Sequence, residues 1–313
     1  MNDPMILVDG LSKTYGRTTA VSGLNFQVEA GECFGLVGPN GAGKTTSINM
    51  IAGMLSPTAG NVHIAGVSLA TNPRQAKANM GLVPQDFALY PALSGRDNLL
   101  FFGRLYGLWG RALAERVHYA LETVRLSDRS GMTVSAYSNG MKRRLNLAAG
   151  LLHDPVVLIL DEPTVGIDMP SRQTIITELK ALIRSGKTVL YCTHHLSETE
   201  ELCSRVAIMD SGRIIAIDTT RELVHQHGTG IIQVEFSSPP DNRLLQFIQQ
   251  LGVIRPTSDR SKGIQIQSTD PNTALESMLK CADECGNAIR TVQLLEPNLE
   301  TVFLNLTGRS IKD

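Results

Sequence analysis

The segment Gly38-Pro39-Asn40-Gly41-Ala42-Gly43-Lys44-Thr45 constrains this chain more than any other feature. It fits the pattern G-x-x-x-x-G-K-[ST]. The compact apolar run 33–37 precedes it, and the residues after it predict a helix from Lys44 to about Ala52. A strand, a glycine loop and a helix in succession open an α/β unit with a buried sheet. In that setting the glycines let backbone N–H groups turn inward around phosphate oxygens, and the start of the helix adds its positive end. Lys44 has the reach for β- and γ-phosphates, and the Thr45 hydroxyl suits Mg2+. The residues therefore predict a site for the phosphates of a nucleotide.

Hydrolysis needs an acidic partner at the end of a second buried strand. Residues 156–160 form an unbroken apolar run, as expected of a strand covered on both faces, and Asp161-Glu162 follows at once. Asp161 is expected to hold Mg2+ through water, and Glu162 to accept a proton from an attacking water.

The remaining pattern is α/β for most of the length. Short strands are predicted at 7–8 and 24–28, around a loop at 13–16. Residues 95–150 read as mostly helical, with Leu99, Phe102 and Leu105 at helical spacing and Val117, Leu121 and Val124 likewise. Further strands are predicted at 188–192 and 206–209. The run 225–230 reads as a linker, which divides the chain into domains 1–225 and 226–313. Beyond it, strands at 231–236, 264–267 and 288–294 alternate with helices at 243–251 and 274–285. A last helix is expected at 299–306, completing a small α+β module.

Composition narrows the function. Lys and Arg number 29 against 30 Asp and Glu, a net charge of -1, and 226–313 holds 8 of the basic and 10 of the acidic residues. Neither part is a basic arm, so coating nucleic acid is not expected. Hydrophobic residues reach 42%, which excludes wholesale disorder. No run approaches the ~18 apolar residues of a membrane-spanning helix, so work at a membrane needs another chain. Residues 1–5 show neither a basic start nor an apolar signal core. The 5 cysteines (Cys33, Cys192, Cys203, Cys281 and Cys285) are odd in number and scattered, as expected of reduced thiols in a cytosolic setting.

Further motifs stand in a fixed order around these two. Tyr15 comes first. Val83-Pro84-Gln85, Tyr137-Ser138-Asn139-Gly140-Met141, Gly166-Ile167-Asp168 and Thr193-His194 follow the phosphate loop. Over about residues 5–225 the sequence resembles the ATP-binding cassette (ABC) ATPases. The resemblance implies a P-loop cassette fold: a RecA-like core sheet, a helical subdomain at about 90–150, and here a small C-terminal α+β domain. It implies ATP and Mg2+ as cofactors. Tyr15 would stack on adenine. Gly38, Pro39, Asn40, Gly41, Ala42, Gly43, Lys44, Thr45 and Thr46 would surround the phosphates. Gln85 would bond Mg2+ ligands and water, with Thr45 and Asp161 as its companions at the metal. Glu162, His194, Gln85 and Lys44 would carry the chemistry.

Ser138, Asn139 and Gly140 would bind the nucleotide held by a second copy of the chain, with Asp168 in the loop beside that interface. The family carries glycine where this chain has Asn139; asparagine tolerates positive φ better than most residues. His195 has no matching role. Lys142-Arg143-Arg144 reads as the solvated face of a helix.

The tail 295–304 resembles cassettes that serve drug-, lipid- or oligosaccharide-exporting permeases, the daunorubicin-resistance and nodulation-factor types among them. The resemblance thus implies an ATP-hydrolysing subunit on the cytoplasmic face of a membrane. Its partners would be a separate permease and a second copy, closing head to tail on ATP, with no nucleic acid. The helical insertion between Gln85 and Ser138 would pass the motion on. The alternative is a soluble cassette acting on ribosomes or nucleic acid. A small-molecule kinase leaves Ser138, Gly140 and His194 without a task.

Overall fold

A computed structural model describes residues 3–256, 263–268 and 270–308. The chain divides into two compact units, Met1–Ile217 and Asp218–Asp313.

The first unit opens with a hairpin of β1 (Ile6–Tyr15) and β2 (Thr18–Val28), whose turn is Gly16-Arg17. Residues 13–15, expected in a loop, instead pair in register with Val21, Thr19 and Thr18. The strand runs on to Tyr15 across three register shifts, after Ile6, Val8 and Leu11 have been buried in the core. β3 (Cys33–Val37) is buried along its length and delivers the chain to α1 (Lys44–Ile51). β4 (Ala59–Ile64) and β5 (Val67–Ser68) extend the hairpin into a four-stranded antiparallel sheet of order β2-β1-β4-β5. Next come α2 (Pro73–Ala78) and β6 (Met80–Val83).

Three helices follow, α3 (Gly95–Leu105), α4 (Gly110–Thr123) and α5 (Asn139–Leu151), and each packs on the other two. They fill the span expected to be helical. Ser94 caps α3 and Ser138 caps α5, each accepting a backbone N–H three residues on.

The chain then builds β7 (Val157–Asp161), α6 (Met169–Arg184), β8 (Thr188–Thr193), α7 (Leu196–Leu202), β9 (Arg205–Asp210) and β10 (Arg213–Thr219). The main sheet has order β10-β9-β3-β8-β7-β6. Its registers β9-β3, β3-β8, β8-β7 and β7-β6 are all parallel. β3, β7 and β8 are buried at every residue, which is why they read as unbroken apolar runs. Parallel strands deliver their C-terminal ends to one edge, so the phosphate loop after β3, Asp161 at the end of β7 and His194 after β8 emerge side by side.

The second unit is a split β-α-β motif. α8 (Thr220–His227) leads to β11 (Gly230–Phe236), α9 (Asn242–Leu251), β12 (Val253–Pro256), β13 (Gly263–Ser268), α10 (Pro271–Glu284) and β14 (Ile289–Leu295). The antiparallel sheet runs β12-β13-β11-β14. Ile232, Val234, Phe236 and Ile266 from the sheet close on Leu244 and Ile248 of α9 and Met278 of α10. α11 (Leu299–Thr307) packs on α8, starting in a capping box between Asn298 and Thr301. The run 225–230, read as a linker, proves to be the end of α8 and the start of β11; Thr219 caps that helix by accepting from Glu222 N–H.

Candidate functional site

The site is built at the C-terminal edge of the main sheet. Gly43 adopts φ 99° as it enters α1, and a Cβ there would sit 2.7 Å from the Ala20 carbonyl oxygen, so the position requires glycine. No side chain caps α1 and no acidic residue stands in its first turn. Its first N–H groups and the positive end of the helix therefore remain for an anion.

Lys44 is buried, and its Nζ donates to the carbonyls of Gly38 at 2.7 Å and Pro39 at 3.1 Å. The same nitrogen lies 3.6 Å from Glu162 Oε1. Glu162 follows β7 in the left-handed region, φ 50°, with its N–H donating to Cys192 O at 2.9 Å. That turn aims its carboxylate back at the loop, where His194 Nδ1 stands 2.9 Å from Oε1 and the Thr193 hydroxyl donates to Oε2 at 3.5 Å.

Asp161 is the buried neighbour. Burial pushes its carboxyl up, and hydrogen bonds from Cys192 and the Thr45 hydroxyl pull the other way. Its Oδ1 is nevertheless fully buried with no hydrogen-bond partner among the described residues. A buried carboxylate oxygen without a donor is costly unless a cation completes it.

A cleft of about 570 Å³ gathers Gly41, Lys44, Thr45, Gln85, Glu162 and His194, with Pro39, Asn40, Gly43 and Thr46 also on its wall. The rest of the lining was not legible in the sequence: Thr18, Thr19 and Ala20 from β2, Val165, and Ser211-Gly212 between β9 and β10. Nothing local marks these residues, because the wall is assembled by Ser22 N–H donating to Gly212 O and Gly212 N–H donating to Ala42 O.

The other expected residues stand elsewhere. Tyr15 is half exposed at the hairpin end, paired with Thr18, and Lys13 Nζ lies 5.3 Å from its ring centre. Ser138, Asn139, Gly140 and Asp168 do not line the cleft. Ser138 accepts from Met141 N–H at 3.2 Å as the cap of α5. Asp168 accepts from Ser171 N–H at 3.4 Å as the cap of α6, and hydrogen bonding to Ser171 holds its carboxyl below the usual range. Gly140 packs against that second helix, where an added Cβ would meet Ser171 Oγ at 2.2 Å. The two N-termini are therefore fixed against each other.

Two expectations need correction. Asn139 is the first residue of α5 and is not among the positive-φ residues, so the left-handed tolerance of asparagine is not what admits it. Its Nδ2 instead donates to Gly166 O at 3.4 Å. Arg143 is not on a solvated face: it is only 5% exposed. Helical spacing explains why, since Arg143, Asn146, Leu147 and Gly150 share the buried face of α5. The His195 ring lies tilted against that of His194, centres 4.1 Å apart, and burial lowers its pKa.

A second buried cluster lies behind the cleft. Glu198 accepts from the Thr164 hydroxyl at 2.8 Å and from Tyr191 OH at 2.6 Å, with Arg172 Nε at 3.1 Å. These residues tie α6, α7, β8 and the segment after Glu162 together.

Fold and cleft define the class of P-loop nucleotide-binding proteins. The family model described as ABC transporter matches residues 21–165. Among curated relatives, the linearmycin resistance ATP-binding protein LnrL of Bacillus subtilis (strain 168) is 39% identical over 99% of this chain and 100% of its own length. Nod factor export ATP-binding protein I of Ralstonia nicotianae is 38% identical over 99% and 96%. A solved ATP binding subunit of an ABC transporter superposes with TM-score 0.65 at 29% identity, covering 71% of this chain and 92% of that one. The chain belongs to the family of ABC transporter ATP-binding subunits.

Proposed function

We propose that this chain hydrolyses ATP to drive export through a separate membrane permease, working as a head-to-tail pair of copies. The observation that carries the chemistry is the convergence of Lys44, His194 and Thr193 on the Glu162 carboxylate inside the phosphate-loop cleft. Export is supported by relatives of nearly equal length named for linearmycin resistance, Nod factor export and daunorubicin resistance.

The phosphate loop and the start of α1 bind the triphosphate through backbone N–H groups, with Lys44 turning from the Gly38 and Pro39 carbonyls to β- and γ-oxygens. Tyr15 stacks on the adenine. Glu162 accepts a proton from the attacking water, and His194, released from Glu162, donates to the γ-phosphate. Placement and charge neutralisation supply most of the rate. The orphaned Asp161 Oδ1 beside the Thr45 hydroxyl fits Mg2+, with Gln85 as third contributor from the cleft wall. When bound, Mg2+ neutralises charge on the β- and γ-phosphates.

Ser138, Asn139 and Gly140 stand apart from the chain's own cleft and serve the nucleotide of the second copy, with Asp168 alongside. Closing on ATP and reopening after hydrolysis is a shift between two states. We assign the unit beyond Ile217 a regulatory or dimer-supporting role. Among the described residues no helix is long and apolar enough to cross a membrane; a permease carried by another chain is part of this reading.

Detergent extracts should yield this chain together with a multi-helix membrane protein, and reconstituting the two should stimulate ATP hydrolysis. Stimulation by RNA or ribosomes, with none by permease-containing membranes, would overturn the export reading in favour of the soluble cassette.

A further inference from the structure

Arg143 is the fifth residue of α5, one turn in from the helix start and five residues after Ser138. Its guanidinium reaches out of the helix on two sides. Nη1 donates to the Gln85 carbonyl and to the Pro84 carbonyl at 3.4 Å, while Nη2 donates to the Val165 carbonyl at 3.3 Å. The guanidinium carbon stands over the Phe87 ring, 4.6 Å from the ring centre. One turn further along α5, Asn146 Nδ2 donates to the carbonyls of Pro84 and Asp86, both at 3.3 Å. Three consecutive carbonyls at 84–86 are therefore held by one face of α5.

Those carbonyls belong to the loop that carries the Gln85 side chain on the cleft wall. Val165 lies three residues after Glu162 and also lines the cleft. Resting on the function proposed above, we propose that Arg143 is a positioning residue that gears the Gln85 loop and the Val165 segment to the N-terminus of α5. A change at the γ-phosphate in one cleft is thereby passed to the Ser138 that serves the other copy's nucleotide. A loop joined to the helix only by chain connectivity would not transmit a displacement; a rigid bidentate link does. Lysine keeps the charge yet offers a single point donor, which does not span both carbonyl groups.

The test is a series on the full-length chain: Arg143→Lys, Arg143→Gln and Asn146→Ala. Fluorescent ATP-analogue binding and steady-state ATP hydrolysis are measured on each, with thermal unfolding as a check on folding. Removing a charged hydrogen-bonding link predicts that Arg143→Lys and Arg143→Gln each lose about tenfold or more in kcat, while analogue affinity stays within about twofold. Asn146→Ala, a milder change that spares the buried charge, should lower kcat about threefold, again at unchanged affinity. Full rescue by Arg143→Lys would overturn the proposal, because charge alone would then suffice. Parallel losses of affinity and kcat in Asn146→Ala would overturn it too, marking a general scaffold effect. The failure of the functional reading looks different: it would show as parental hydrolysis by Glu162→Gln, whatever the Arg143 series does.

Discussion

His194 Nδ1 stands 2.9 Å from Glu162 Oε1, although the two residues leave different strands and lie far apart in sequence. Parallel β7 and β8 are hydrogen-bonded neighbours with Asp161 opposite Cys192, so the next residues on each emerge together. The pairing makes Glu162 and His194 one unit. Any group that draws His194 away leaves the carboxylate with only Lys44 and Thr193 as partners among the described residues.

Glu162→Gln keeps the shape of the side chain and removes its basicity. ATP binding should persist, hydrolysis should fall by about 10²-fold or more, and ATP should hold two copies together. Sedimentation with and without ATP, alongside phosphate release, reads both effects. A monomeric variant with parental turnover would refute the base assignment.

Lys44→Ala removes the buried ammonium and leaves the carbonyls of Gly38 and Pro39 without their donor. Losing charge-assisted bonds to phosphate predicts about tenfold or more weaker ATP binding, with hydrolysis abolished. Equilibrium binding of a fluorescent ATP analogue checks the first part and phosphate release the second.

Gly140→Ala drives a methyl into Ser171, whose Oγ and Cβ would lie 2.2 and 2.5 Å away. Overpacking of this kind costs about 1–3 kcal/mol, and relief would push α5 off α6. Lower thermal stability and lower ATP hydrolysis are expected together. Adding Ser171→Gly should restore both, since it removes the two atoms in the way. A double variant no better than Gly140→Ala would disprove the packing account.

Glu178 supplies a pH test. Its carboxyl oxygens are buried on α6 with no hydrogen-bond partner among the described residues, and Arg125 Nε is 3.9 Å away. Burial pushes its pKa from 4.5 to about 7, against the pull of Arg144 and Arg125. The folded state therefore holds the proton more tightly than the unfolded chain. Its contribution to stability is greatest below 4.5 and is lost as pH rises through about 7. Glu178→Gln should then be more stable than the parent by about 3 kcal/mol near pH 8, with the gap mostly closed near pH 5. Urea unfolding at the two pH values measures this; an equal gap at both would contradict it.

The sequence carried the parts of the site that one local pattern encodes. Gly38–Thr45 and Asp161-Glu162 were legible because a buried parallel strand must be apolar throughout and must end where the chemistry begins. β4 and β6 were not legible: Gly60 and Asn61 interrupt the first, and the second has only four residues. Lys13 to Tyr15 looked like a loop because register shifts break the alternation of β1. Arg143 was hidden in a basic run, and only its helical spacing with Asn146 and Gly150 places it inside. Residues such as Ser211 and Gly212 join the cleft through long-range pairing, which no local pattern records.

Glu162 holds a backbone conformation that L-residues avoid, φ 50°, at a cost of about 1–2 kcal/mol. Glycine or asparagine would occupy that bend with less tension. A sturdier version of this cassette would thus give up the carboxylate proposed above as the proton acceptor, and the chain keeps that tension beside its phosphate loop.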